Sequence, residues 1–224
     1  MDKFLVILAG ENHLEYANTI VQEMQASAQV RGTGIAKRTP EYIQQKMMEG
    51  KAIIAFDSKK KWAGFCYIET WQSGEYVANS GLIIAPPFRN LGLAKLIKEQ
   101  VLLLSRTKYP NSKIFGLTTG LAVMKINSEL GYKPVTYSEL TTDEQFWNGC
   151  KSCVNYSILT SKDFKNCLCT AMICSDNPAK NKVIVSTDIT LESKFTTFLK
   201  RLAKIKEHMK LQIIENQKWK QKIK

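Results

Sequence analysis

The strongest chemical signal in the 224-residue sequence is Ala78-Asn79-Ser80-Gly81-Leu82-Ile83-Ile84-Ala85-Pro86-Pro87-Phe88-Arg89-Asn90-Leu91-Gly92-Leu93-Ala94. An apolar strand runs into a proline-marked loop, then Arg89, then Gly92, where an amphipathic helix begins. The first amides of a helix point outward without intrahelical partners, and a glycine there lets a ligand approach the backbone. Together with the positive end of the helix dipole they form a cradle for phosphate or pyrophosphate. The plainer reading of a glycine between an arginine and a small residue is a capping or packing device. Two other phosphate motifs are absent: no Gly-x-Gly-x-x-Gly follows the first strand, and no Gly-Lys-Ser/Thr occurs.

A second cluster is Cys150-x-x-Cys153 followed, after thirteen residues, by Cys167-x-Cys169. Two such pairs on a hairpin suit a structural zinc. Against this, Cys-x-Cys is not the usual second knuckle, and buried reduced cysteine is a common small apolar residue. No metal is assigned, and redox-active thiols rank lower because the thioredoxin context is missing.

Positioning these residues takes a series of elements. Lys3 to Leu8 reads as a strand, and Leu14, Ala17, Ile20, Val21, Met24 and Ala28 mark an amphipathic helix over 12–28. Thr39-Pro40-Glu41 supplies an N-cap, a first-turn proline and an early acid for a second helix burying Ile43 and Met47. Strand-like runs follow at 52–56, 62–69 and 76–84, joined by short polar connections that favour antiparallel hairpins. Leu93, Leu96, Ile97, Val101 and Leu104 define a helix ending before Tyr109-Pro110. Then come a strand at 113–118, a helix at 121–130 and a strand at 134–137, with strand-like segments at 153–159 and 167–174. The order describes an α/β fold whose sheet is antiparallel at first and crosses over later.

Composition is that of a soluble domain, with 44% hydrophobic and 23% charged residues. No run has the roughly 20 apolar residues of a membrane helix, and the N-terminus does not resemble a secretory signal, so a cytoplasmic protein without membrane association is expected. The net charge of +12 has two sources: residues 188–224 hold ten Lys/Arg against four Asp/Glu, about half the excess. Lys59-Lys60-Lys61 reads as a solvated hairpin tip, and with no aromatic-interleaved basic motif nucleic acid is not an expected partner.

Arg89-x-x-Gly92-x-Ala94 after a fourth strand resembles the coenzyme A loop of the GNAT superfamily of acyltransferases. Ile114-Phe115-Gly116-Leu117-Thr118-Thr119 and Leu130-Gly131-Tyr132-Lys133-Pro134-Val135 fit its following pieces. Within the superfamily the likeness is to glutamate N-acyltransferases of arginine synthesis. The resemblance implies a mixed, mainly antiparallel sheet flanked by helices over residues 1–160. A cysteine-containing extension and linker (161–187) and a long basic C-terminal helix (188–224) would follow.

It further implies that the amides of Arg89, Asn90, Leu91, Gly92, Leu93 and Ala94 hold the pyrophosphate, with the Arg89 side chain adding charge-assisted bonds. Main-chain groups of Leu82, Ile83 and Ile84 would pair with the pantetheine arm of acetyl-CoA or succinyl-CoA. A carboxylate would take the proton of the attacking amine, with Glu69, Glu75 and Glu129 the nearby acids and Glu69 given the catalytic role. The tyrosine that many relatives use to protonate the departing thiolate is replaced by Asn127, which can bind the thiol or coenzyme but is no acid. Protonation then falls to solvent, Ser128, the substrate ammonium or Tyr132. Arg31, Lys37 and Arg38, with Thr118 at the fifth strand's end, would bind the carboxylates of an acceptor amino acid, glutamate by preference. Alternatives are a protein lysine or polyamine as acceptor, or a catalytically weak acyl-CoA-binding regulatory module.

Leu191, Phe195, Phe198, Leu202, Ile205 and Met209 alternate four and three apart in the terminal segment. Such a helix packs on its own domain or pairs two chains in a homodimer.

Overall fold

The computed structural model describes residues 4–31 and 37–174, with the Arg31 side chain excepted. The Gly32-Thr33-Gly34 loop, the linker near Asn177 and the heptad-patterned segment 188–224 lie outside the described residues. Seven strands form one sheet in the order β1-β2-β3-β4-β5-β7-β6. They are β1 (Leu5–Leu8), β2 (Ala52–Phe56), β3 (Trp62–Trp71), β4 (Tyr76–Ile84), β5 (Lys113–Thr118), β6 (Lys133–Val135) and β7 (Thr170–Cys174). Every pairing is antiparallel except β4 with β5.

Both faces of the sheet are covered, so β2 is buried along its whole length although its side chains alternate. Ile53 and Ala55 join the cluster under helix α3 (Leu93–Lys108), with Ile97, Val101 and Ile114. Ala52, Ile54 and Phe56 face α1 (Ala17–Arg31) and α2 (Pro40–Met48), against Ile20, Met24, Ile43 and Met47. The capping signal before α2 works as its residues suggest: the Thr39 hydroxyl accepts from the Tyr42 amide at 3.3 Å, and Pro40 opens the helix. A 3-10 turn at Glu11–Tyr16 takes the place of the expected first part of α1.

Beyond β5 come α4 (Leu121–Glu129), α5 (Glu144–Asn148) and α6 (Tyr156–Ser161). The strand expected at 153–159 is instead a 3-10 turn at Gly149–Ser152 followed by α6, so the first cysteine pair is not on a hairpin. A short apolar run fits either period, and packing decides: Tyr156 and Leu159, three apart, both join the cluster around Phe115. The segment expected as an extension beyond residue 160 supplies β7, which lies inside the sheet between β5 and β6. No helix of the described residues is long and apolar enough to cross a membrane.

One irregularity bends the sheet. Along β3 and β4 the register shifts between Phe65↔Ile83 and Tyr67↔Ser80, so Gly81 and Leu82 together oppose the single residue Cys66. This is a β-bulge, and it needs Gly81 at φ 65°. A Cβ at Gly81 would overlap the Tyr67 ring and touch Met24. Gly81→Ala is expected to destabilise the protein by roughly 2–4 kcal/mol, through left-handed backbone strain and overpacking. A denaturant midpoint unchanged from wild type would refute the bulge geometry.

Candidate active site

β4 and β5 pair only through Tyr76↔Lys113, Val77↔Ile114 and Ala78↔Phe115. β4 nevertheless continues to Ile84 and β5 to Thr118, and β5 stays bonded to β7 on its other edge throughout. The two strands therefore part like an opened zip just before the bulge. A cavity of about 500 Å³ opens at the wedge, walled by β4 from Ala78 to Leu82, β5 from Phe115 to its end, and Asn127 of α4. From Leu82 the strand leads to Ile84, whose carbonyl accepts from Arg89 Nε at 3.1 Å, and so to the loop before α3.

At that loop Asn90 (φ 63°) and Gly92 (φ 81°) both take left-handed conformations. Gly92 caps α3 without a side-chain acceptor, and a Cβ there would meet open space. Its conformation, rather than crowding, calls for glycine. The Arg89 side chain is engaged elsewhere: Nη2 donates to Glu23 at 2.7 Å and to Ser27 at 3.0 Å, which ties the loop to α1. What the loop offers a ligand is thus backbone, held in place by the arginine.

Another part of the cavity wall carries Arg38, Tyr42, Tyr67 and Glu69. Arg38 Nε donates to the Tyr67 hydroxyl at 2.8 Å, and Nη2 lies 3.7 Å from Glu69 Oε2. The Tyr42 hydroxyl donates to Glu69, and the Arg38 guanidinium stands 5.0 Å over the Tyr42 ring. Burial pushes the Glu69 carboxyl above its ordinary value, against the opposing pull of Arg38 and a bond to Ser80. Glu69 is the one carboxylate lining this cavity among the described residues, beside two cations, Arg38 and Lys98.

The residues singled out from sequence are distributed as follows. Glu69, Asn127, Leu82, Arg38 and Thr118 all line the cavity, and Thr118 Oγ1 accepts from the Gly120 amide at 3.0 Å. Ile83 is buried under α1, and Ile83 and Ile84 pair with Phe65 and Gly64 of β3. Lys37 is exposed. Glu75 and Ser128 are exposed, and Glu129 pairs with Lys95 at 2.6 Å. Tyr132 is 2% exposed and not among the residues lining the cavity; its hydroxyl donates to Asn79 Oδ1 at 2.7 Å. Burial and nearby thiols hold its phenol well above the ordinary value.

Cys150, Cys153 and Cys169 also line the cavity. All four cysteines of the two pairs are reduced, and no three His, Cys, Asp or Glu among the described residues are placed to hold a metal. Burial and neighbouring thiols push Cys150 up to about 11 and Cys169 up to about 12, so both are neutral thiols near pH 7. Residues that the sequence did not flag include Asn79, Tyr42, Tyr67 and Lys98. Lys98 shares a helical face with Leu102 and Ser105, all three buried, and that spacing was the available signal.

The architecture has solved counterparts. N-acetylglutamate synthase from Neisseria gonorrhoeae, complexed with coenzyme A and N-acetyl-glutamate, superposes with TM-score 0.54 at 13% identity. The match covers 76% of this chain and 34% of that one, so the present chain spans about a third of that enzyme. Rv2747 from Mycobacterium tuberculosis, in complex with CoA, gives 0.55 at 15% identity over 77% of this chain and 99% of that one. A GNAT-family acetyltransferase from Staphylococcus aureus gives 0.51 at 12% identity, covering 63% and 91%. The fold is that of the GNAT acetyltransferases. No protein-family model matches the sequence, and no curated protein is similar to it.

Three features of this GNAT fold fit an acyl-CoA. The β4 edge facing the wedge is unpaired with β5 past Ala78, the α3 start offers a bare backbone cradle, and the buried Asn127 Oδ1 has no hydrogen-bond partner. A buried acceptor left unsatisfied is costly and marks a place for an incoming donor. Gly92→Glu is expected to weaken CoA binding at least tenfold by calorimetry, with the Arg38–Glu69 region untouched. Equal affinity in the variant would remove the cradle from the site.

Proposed function

We propose that the chain moves an acyl group from acetyl-CoA or succinyl-CoA to the α-amine of an amino acid, with glutamate the preferred acceptor, by direct attack in a ternary complex. The observation that carries this reading is the pairing of a half-buried Arg38 with the buried Glu69 on the wall of a cavity that also reaches the unpaired β4 edge. Acyl-CoA supplies the activated thioester. The β4 edge near the bulge pairs with the pantetheine amides, and a backbone N–H there stabilises the oxyanion as the carbonyl is attacked.

Glu69 takes the proton of the α-ammonium, directly or through one water, and passes it to solvent before the neutral amine attacks. Its raised pKa brings it closer to that of its task, because a stronger base removes an ammonium proton more readily. Arg38 sits loosely enough on Glu69, at 3.7 Å, for an acceptor carboxylate to share its guanidinium. Thr118 on the opposite strand offers a hydroxyl to the same acceptor. Two cations against one carboxylate favour an acidic acceptor over a polyamine.

The test is thiol release by the full chain given acetyl-CoA or succinyl-CoA and a panel of amino acids. Glutamate-dependent release supports the reading; release only with other amines rejects the glutamate assignment; CoA binding without release with any amine leaves a binding module. Glu69→Gln should lower kcat about a hundredfold. Wild-type kcat/KM should fall as pH drops through the Glu69 pKa, above the ordinary 4.5, because the base must be ionised to act. That acid limb should vanish in the variant; its persistence there would assign the base elsewhere.

A further inference from the structure

Lys98 is 3% exposed and lines the cavity, yet among the described residues it faces no carboxylate. Its Nζ lies 3.4 Å from Asn79 Oδ1 and 5.1 Å over the Tyr132 ring. The charged or ionisable groups facing it are the thiols of Cys66 from β3 and Cys174 from β7, together with the Tyr132 phenol. All are neutral when protonated. Burying an ammonium without a counter-ion is costly, and long cationic side chains ordinarily reach for water. Here the chain ends at Asn79, the first β4 residue past the last pair with β5. The same Asn79 Oδ1 accepts from Tyr132, while Asn79 Nδ2 donates to Ser105 at 2.9 Å, so the asparagine is fixed from three sides.

We infer that Lys98 is the acid that protonates the departing thiolate, the role that Asn127 is unable to fill. The inference rests on the acyl-transfer reading above. As the amine nitrogen bonds to the thioester carbon and Glu69 receives the amine's proton, the C–S bond breaks and its electron pair goes to sulfur. An Nζ proton then moves to that sulfur, leaving Lys98 neutral. The proton held by Glu69 is released to solvent, and solvent reprotonates Lys98, so the cycle needs no co-reactant. Burial holds the Lys98 ammonium below its ordinary value, nearer to that of a thiol, which matches donor to acceptor. Asn79 acts as a positioning residue that aims the amine into the wedge. Cys66, pushed up to about 11 by burial, stays a neutral neighbour.

Lys98→Met keeps an unbranched side chain one atom shorter and removes the proton. At saturating substrates it should lower kcat about a hundredfold while CoA affinity by calorimetry stays within threefold. A proton donor also leaves a mark that a structural lysine would not. Wild-type kcat should fall as pH rises through the Lys98 pKa, below the ordinary 10.5, and Lys98→Met should lack that limb. Lys98→Arg, which retains charge but gives up its proton poorly, should remain slow.

Lys98→Met turning over within threefold of wild type, or recovery of rate in Lys98→Arg, would overturn the assignment. So would a wild-type kcat that stays flat to pH 10.5, a measurement that needs no variant to fold. Wild type that transfers to no amine at all overturns the proposed function and this step together, whereas an active wild type beside an equally active Lys98→Met overturns this step alone.

Discussion

The separation of β4 from β5 after Ala78↔Phe115 is the constraint on which the rest of the molecule turns. Backbone groups in a sheet interior are normally paired, and an opened pair of edges is unfavourable unless water or a ligand fills it. The fold holds the wedge open from both sides. β5 is anchored on its far edge to β7 along Ile114 to Thr118, so it cannot swing toward β4. β4 is bent by the bulge at Gly81 and Leu82, and the Tyr67 ring packed against Gly81 keeps that bend from relaxing. The same ring carries the hydroxyl that orients Arg38, so the shape of the slot and the charge on its wall share one side chain.

Much of the architecture was legible because local signals agreed with one another. Thr39-Pro40-Glu41 fixed the start of α2, Ile43 and Met47 gave its buried face, and polar connections between apolar runs gave the β2–β3–β4 meander to within two residues. The errors fall where long-range contacts decide. Cys153 to Leu159 has too few residues to show a period, and its helix exists because Tyr156 and Leu159 pack on the Phe115 cluster. The insertion of β7 beside β5 joins residues more than fifty positions apart, and nothing near Thr170 announces it.

The site divides in the same way. Backbone chemistry at Leu82 and Gly92 follows from local conformation, so a short motif points to it. Side chains such as Arg38, Glu69 and Asn127 could be named from their place in a pattern, but only the fold shows that they line one cavity and that Glu129 is paired with Lys95 instead. Arg89 shows the limit of reading charge from a motif: its guanidinium holds Glu23, Ser27 and the Ile84 carbonyl, and so builds the loop. Lys98 was hidden by the ordinary expectation that lysine on an amphipathic helix faces water.

Two titratable groups lining one cavity, Glu69 and Lys98, are moved in opposite directions by the same cause, which suits the proposed base and the proposed acid. Desolvation penalises charge: it raises the Glu69 carboxyl and lowers the Lys98 ammonium, drawing both from their extremes toward the neutral range in which an amine and a thiol exchange protons. The two groups are also kept apart in kind. Glu69 has Arg38 and Tyr42 to stabilise its ionised form, whereas among the described residues Lys98 meets Asn79, the Tyr132 ring and the thiols of Cys66 and Cys174, none of them a carboxylate. Cys150 and Cys169, which also line the cavity, are held protonated by burial and neighbouring thiols, so they do not compete as nucleophiles for an activated acyl group. Under the proposed acyl transfer, a cavity arranged in this way would protect a thioester from its own walls while leaving Glu69 and Lys98 to act on it.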